Sequence, residues 1–524
     1  MTTLEEALSP LALVARGVRL FGARAALRDD GVTTTYEEFG GRIERLAGGL
    51  RRLGVAPGDR VALLAPNTAP ALECYSGVPL SGGVLVPLNT RLHTDEYRYI
   101  LDHSGSRVVL LDAAWHPLLE EVLRERPDLR VVAMRGEIPG AMQYEELCTG
   151  TRRVPLAAAS FEDERRVISM NYTSGTTARP KGVLLTHRNA HANAVNMVLA
   201  LGLRREDVHL HVAPMFHANG WGLVWATLAV GAANVPMPAV DGEDAMRRIS
   251  DFSVTTLCAA PTVLTILLAA TRAAPKGVRV ATAGAAPPAA IIRRVEEELG
   301  WTIHHFYGLT ETTAFITHCE EPEGLDREDV DTRARFKARQ GVALPLAGEV
   351  RVVREDLSPV AEDGDEMGEV VARGNVIMQG YYRDEAATER AFAGGWFHTG
   401  DLAVVHPDGY IEIRDRAKDV IISGGENIPS LEVEGVLYQH PAVAQAAVVG
   451  APHPYWGETP IAFVTLRPGR SADEAELIAH CRSHLTHFKV PTRIVIAQEL
   501  PRTASGKIQK FALRERVRTQ DAGG

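Results

Sequence analysis

Gly54-Val55-Ala56-Pro57-Gly58-Asp59-Arg60-Val61-Ala62-Leu63-Leu64 decides the fold class, because it joins a helix to a strand through a glycine–proline turn. Ahead of it, residues 37–53 repeat apolar side chains with an amphipathic helical period. The turn residues end that helix, and the apolar run from Arg60 to Leu64 reads as a strand. Similar runs recur at Arg107-Val108-Val109-Leu110-Leu111 and Leu129-Arg130-Val131-Val132-Ala133, with helical stretches between them. Such β–α alternation predicts layered α/β subdomains with mostly parallel sheets.

A chain of 524 residues is too long for one ordinary core, so two or more domains are expected. Its composition, 45% apolar and 23% charged, is that of a soluble globular protein. The formal charge of -10 argues against a nucleic-acid surface, which needs a basic face. Cys74, Cys148, Cys258, Cys319 and Cys481 are scattered singly and suggest neither a disulfide framework nor a zinc site. The first residues, Met1-Thr2-Thr3-Leu4-Glu5-Glu6, are acidic where a signal peptide is basic, so a cytoplasmic location is expected. The longest apolar stretch, Trp221 to Ala233, is shorter than the roughly 20 residues a bilayer requires. It is expected to be a buried helix, and no transmembrane segment is expected.

A ligand is suggested by Thr173-Ser174-Gly175-Thr176-Thr177-Ala178-Arg179-Pro180-Lys181-Gly182. Small residues let backbone N–H groups approach phosphate oxygens, hydroxyls add donors, and Lys181 adds a compact positive charge. Val167 to Tyr172 reads as a strand feeding this loop, with Val183 to His187 as its hairpin partner. No Gly-Lys-Ser/Thr closes the loop onto a helix, so it is not a Walker loop. On composition alone, a flexible loop without a ligand reads equally well.

Near the C-terminal end, Gly409-Tyr410-Ile411-Glu412-Ile413 reads as a strand. Arg414-Asp415-Arg416-Ala417-Lys418-Asp419 then forms a charged, polar break before Val420-Ile421-Ile422. That break is a candidate hinge. The expected division is a large N-terminal domain, 1–415, a hinge at 416–418, and a smaller, mobile α+β domain, 419–524.

Further segments complete a pattern: Gly284-Ala285-Ala286-Pro287, Tyr307-Gly308-Leu309-Thr310-Glu311-Thr312, Trp396-Phe397-His398-Thr399-Gly400-Asp401, Ser423-Gly424-Gly425-Glu426-Asn427 and Pro501-Arg502-Thr503-Ala504-Ser505-Gly506-Lys507. With the Thr/Ser/Gly loop and the Asp415–Asp419 break, their order over nearly the whole chain resembles the adenylate-forming enzymes. That superfamily holds acyl-CoA synthetases, adenylation domains and luciferases. The resemblance implies an AMP-forming acid–thiol ligase using ATP, Mg²⁺ and coenzyme A.

On that resemblance Thr173, Ser174, Gly175, Thr176, Thr177 and Lys181 hold the ATP phosphates, while Tyr307, Gly308, Gly284, Ala285 and Ala286 form the adenine slot. Asp401 and Arg416 take the ribose. Thr310 offers a hydroxyl to the phosphate, and Glu311, with Thr176, a hard oxygen ligand to Mg²⁺. Taken alone, the Thr310–Glu311 pair also reads as a helix cap. Lys507 is implied to bridge the attacking carboxylate and the α-phosphate. Lys418 matches the pivot, and Ser423, Gly424, Gly425 and Glu426 the face presented to coenzyme A. His217 matches a gating position, and with Trp221 and Gly308 it is assigned to the acyl pocket.

Two positions depart from the family pattern. Ala178 stands where glycine is common, and Pro429-Ser430 where many relatives have an aromatic–proline pair. A carrier-protein thiol or another nucleophile is an alternative acceptor, and a non-catalytic nucleotide-binding scaffold a reading of another class. The resemblance also suggests a homodimer. Fatty, short branched and aryl acids all remain open as substrates.

Overall fold

The computed structural model describes residues 6–158, 163–173, 179–424, 426–502 and 508–521. The opening helix and turn form as their residues require. Thr35 caps helix Tyr36–Arg52 by accepting the Glu38 N–H, and the Glu38 carboxylate returns a bond to the Thr35 N–H. Gly54 and Gly58 then take positive φ, 86° and 85°, and the strand Arg60–Leu64 follows.

That strand lies inside an eight-stranded sheet, parallel to Val84–Pro87 on one side and Val108–Leu111 on the other. Arg130–Ala133 continues the parallel order. Val84–Pro87 also pairs in parallel with Val167–Thr173, which doubles back antiparallel as Lys181–Thr186. The expected hairpin is therefore present, with Thr173 opposite Lys181 at its mouth. His187 does not belong to its second strand. It opens helix His187–Ala200, because Thr186 accepts the Asn189 N–H and Asn189 returns the cap.

A nine-stranded sheet carries the other half of the large part. Its inner strands, Ala25–Asp29, Ala233–Pro236, Val208–His211, Thr256–Cys258, Arg279–Thr282 and Thr302–Tyr307, run parallel, and only its edges are antiparallel. The stretch from Trp221 onward is a buried helix over Leu223–Val230, and no described helix is long and apolar enough to cross a membrane. All five cysteines are buried and unpaired.

A third sheet, Glu349–Val353, Gly368–Arg373, Phe397–Val405 and Ile411–Arg416, is antiparallel throughout. It extends into the segment read as a polar break, as far as Arg416. Asp415 is buried there, its carboxylate accepting the Ser430 N–H at 2.6 Å and the Arg416 N–H at 2.8 Å. Charge in the sequence therefore marked two things: a buried, hydrogen-bonded strand end at Asp415 and, after Arg416, the turn Ala417–Asp419, in which Ala417 and Lys418 are exposed. Beyond it, Ile421–Ser423, Glu426–Ile428, Val443–His453, Gly457–Leu466 and Arg493–Ile496 form a mixed sheet with helices Ser430–Gln439, Glu474–His484 and Lys510–Asp521. Val433, Leu437, Val448, Val464 and Leu477 give this α+β part a core of its own.

The large part buries several imidazoles. Burial holds His187 and His318 down to about 3, His211 and His305 to about 4, and His209 well below the ordinary 6.5. As pH falls the unfolded chain therefore binds protons before the folded one. Stability is expected to be full above about pH 6.5 and to decline toward pH 4, by up to about 1.4 kcal/mol per pH unit for each histidine. Urea midpoints measured from pH 7.5 to 4.5 check this, and midpoints unchanged down to pH 5 would contradict it.

Candidate active site

The inner strands of the nine-stranded sheet release their C-terminal ends along one edge, where open α/β sheets take their ligands. Gly284, Ala285 and Ala286 follow Arg279–Thr282 and stay exposed, with Gly284 at φ +88°. Tyr307 ends the neighbouring strand, and pairing of Thr282 with His305 makes the two loops leave side by side. Gly308 is required sterically, since a Cβ there would lie 2.1 Å from the Ala314 carbonyl oxygen.

Three expected nucleotide residues meet directly. The Tyr307 hydroxyl donates to Asp401 Oδ2 at 2.7 Å, and Arg416 Nε lies 3.1 Å from Asp401 Oδ1. Asp401 and Arg416 are register partners on adjacent antiparallel strands, which fixes the ion pair in the backbone. Asp401 is only 4% exposed, and a carboxylate so buried needs such partners to remain charged. Burial, with the Asp401 charge beside it, pushes the Tyr307 phenol well above its usual range and keeps it a donor. Lys418 follows Arg416 at the surface.

On the phosphate side, Lys181 extends over the Tyr381 ring, its Nζ 4.7 Å from the centroid. The Tyr381 hydroxyl donates to Glu311 Oε1 at 2.9 Å. Thr310–Thr312 is a single 3-10 turn, and the Glu311 carbonyl is fixed by the Met378 N–H at 2.8 Å. The pair is thus held as part of a turn against another strand, not as the cap of a helix. Among the described residues no group of three or more His, Cys, Asp or Glu could hold a metal. Ser174, Gly175, Thr176, Thr177 and Ala178 lie outside the described residues, as do Gly425 and Lys507.

His217 and Trp221 bracket an unusual turn. Ala218, Asn219, Gly220, Trp221 and Gly222 all have positive φ, from 30° to 80°. Side-chain-bearing residues adopt this conformation at a cost of roughly 1–2 kcal/mol each, so the surroundings must impose it. Asn219 does so through its amide, which donates to Ser169 Oγ at 2.6 Å and accepts from Asn171 at 3.2 Å. Asn171 also donates to the Phe216 carbonyl at 3.1 Å. Ser169 and Asn171 share one buried face of the strand that feeds the phosphate loop. The reading of the sequence missed all three; two polar residues at alternate positions of an apolar strand were the available signal. Trp221 is nearly buried, edge-on to Phe315 at 5.5 Å, and Phe315 stacks on Phe306 at 5.0 Å. The His217 ring lies 4.4 Å from that of Phe216.

Ser423, Gly424 and Glu426 form the tip of a hairpin in the C-terminal sheet. Gly424 sits at φ +61°, and a Cβ there would come within 2.7 Å of the half-exposed Trp456 ring.

The sequence matches the family described as AMP-binding enzyme over residues 14–382, and the AMP-binding enzyme C-terminal domain over 432–507. A peroxisomal butyrate–CoA ligase of Arabidopsis thaliana is 38% identical over 98% of this chain and 95% of that protein. A 2-methylpropanoate–CoA ligase of Humulus lupulus is 38% identical over the same shares. Among solved structures, an anthranilate CoA ligase in complex with anthranoyl-AMP superposes with a TM-score of 0.88 at 27% identity, covering 99% of both chains. A benzoate CoA ligase from Burkholderia xenovorans gives 0.85 at 28%, covering 97% of this chain and 99% of that one.

Asn219→Ala would remove one buried hydrogen bond from the Ser169 hydroxyl and one from the Asn171 amide. The expected loss is about 1–3 kcal/mol, read as a lower urea midpoint. An unchanged midpoint would show that the turn is held some other way.

Proposed function

From the premise that this chain belongs to the AMP-binding enzyme family, we propose that it is an AMP-forming ligase joining an apolar carboxylic acid to coenzyme A. The observation that carries this reading is the clasp of Tyr307 and Arg416 on the buried Asp401, beside the exposed Gly284–Ala286 loop. A carboxylate accepts at about four lone-pair sites, which suits the two ribose hydroxyls of a nucleotide. The flat ring of adenine then lies between Tyr307 and the small residues at 284–286.

In the first step a carboxylate oxygen of the acid attacks the α-phosphorus of ATP, and the bond to the β-phosphate breaks to release pyrophosphate. Two anions meet in that step, so positioning and charge neutralisation dominate. Lys181 and Thr173, with Ser174, Gly175, Thr176 and Thr177, hold the departing phosphates, and Thr310 bonds the α-phosphate. Glu311 and Thr176 would hold Mg²⁺, which would supply charge neutralisation on the phosphate oxygens. Lys507 steadies charge between the two reacting anions. In the second step the coenzyme A sulfur attacks the acyl carbon, and AMP leaves with the bonding electrons. The Ser423–Glu426 hairpin faces this thiol after rotation of 419–524 about the 416–418 hinge at Lys418. His217 gates between the steps, and Trp221, Phe315 and Gly308 bound an apolar acyl pocket.

Short branched and aryl acids suit a pocket closed by two aromatic rings, in keeping with the acids named for its relatives. A cytoplasmic location and a homodimer belong to the same reading; the five buried thiols agree with a reducing compartment.

Acid-dependent AMP release over fatty, short-chain and aryl acids, with and without coenzyme A, tests the proposal. AMP and a coenzyme A thioester are expected together. Release that needs a carrier-protein thiol would change the acceptor, and ADP formation would overturn the reaction class. Asp401→Asn is expected to raise the KM for ATP about 10- to 100-fold, the value of a hydrogen bond to a charged group, with little change in the KM for the acid.

A further inference from the structure

We propose that Tyr381 is a positioning residue that sets Glu311 and Lys181 relative to one another, so that one side chain aligns the metal-binding and phosphate-binding halves of the site. This rests on the ligase reading above and deepens it.

Tyr381 lies on the two-residue strand Gly380–Tyr381, which pairs antiparallel with Lys181–Thr186, Tyr381 opposite Val183. Register partners share a face of the sheet, and so do residues two apart on one strand, which places Lys181 diagonally beside Tyr381. The ammonium accordingly rests over the ring at 4.7 Å, a cation–π distance. The hydroxyl at the other end of the same ring donates to Glu311 Oε1 at 2.9 Å.

Each contact restricts a flexible group. Lysine and glutamate both carry substantial rotamer entropy, and fixing them before the ligand arrives removes that cost from binding. The hydroxyl bonds one Glu311 oxygen and so orients the other. The backbone holds the ring in place. The Tyr381 N–H donates to Thr388 Oγ1 at 2.9 Å, and the Tyr382 N–H to the Gly182 carbonyl at 2.8 Å. Tyr382 itself faces the opposite way, its ring edge-on to His103 at 5.5 Å, so the two adjacent tyrosines are not interchangeable.

The hydroxyl and the ring can be removed separately. Tyr381→Phe deletes the bond to Glu311 and keeps the surface under Lys181; Tyr381→Leu deletes both. Calorimetric titration of the full-length protein with ATP, with and without Mg²⁺, reads the two roles apart. For Tyr381→Phe, metal-free ATP affinity is expected to stay at the wild-type value while the gain on adding Mg²⁺ falls about tenfold. The Mg²⁺ concentration for half-maximal pyrophosphate exchange should rise to match. Tyr381→Leu is expected to weaken metal-free ATP binding severalfold as well.

A wild-type Mg²⁺ gain in Tyr381→Phe would overturn the proposal. So would equal losses in both variants with a lowered urea midpoint, which would make Tyr381 a structural residue only. If the wild type binds ATP with the expected metal gain but exchanges no pyrophosphate with any acid, the ligase reading fails, while a Mg²⁺ gain about tenfold smaller in Tyr381→Phe still upholds the role of Tyr381 toward the metal.

Discussion

A carboxylate buried to 4% exposure is costly unless its charge is met, and in this protein the partners that meet the Asp401 charge come from separate layers. Tyr307 arrives at the end of a strand of the nine-stranded sheet. Arg416 arrives as the register partner of Asp401 within the antiparallel sheet. Loss of either would leave the carboxylate under-compensated, so the ion fixes how those two sheets meet. Arg416 is the last residue of its strand, ahead of the turn that leads into the α+β part. The junction is reinforced by Asp415, one residue earlier, whose carboxylate bonds the Ser430 N–H at the start of the next helix.

The remaining machinery divides into halves held by polar side chains distant in sequence. Ser169 and Asn171 stand on the strand that feeds the phosphate loop, and through Asn219 they impose the left-handed turn between His217 and Trp221. Tyr381 stands beside the returning strand and touches Lys181 and Glu311. The hairpin of Val167–Thr173 and Lys181–Thr186 is therefore braced on one side against the turn between His217 and Trp221 and on the other against Tyr381, which bonds Glu311. For a reaction that brings two anions together, rigid placement of charge is the main requirement.

Much of this was legible in advance for definite physical reasons. The Arg60–Leu64 strand and the helix before it follow from apolar period and a glycine–proline turn, and both appear within a residue of expectation. The phosphate-loop hairpin follows from apolar runs on either side of small residues. Asp401, Arg416 and Tyr307 were named from motif, and the structure brings them into contact. The left-handed turn at 218–222 was legible only in part: Asn219, Gly220 and Gly222 favour positive φ, whereas Ala218 and Trp221 carry no such preference and are forced by their surroundings. The strand through Arg414-Asp415-Arg416 was not legible, since charge suggested solvent while burial of Asp415 depends on Ser430. The link from Tyr381 to Glu311 spans 70 residues and arises only when a two-residue strand finds its register.

A crystal structure with a hydrolysis-resistant acyl-adenylate analogue tests the central claim most directly, because it shows what the Asp401 carboxylate is for. The account predicts the adenine between Tyr307 and the Gly284–Ala286 loop, and both ribose hydroxyls on Asp401 with Arg416 still paired to it. An analogue bound with its ribose turned away from Asp401, or seated elsewhere in the molecule, would contradict it.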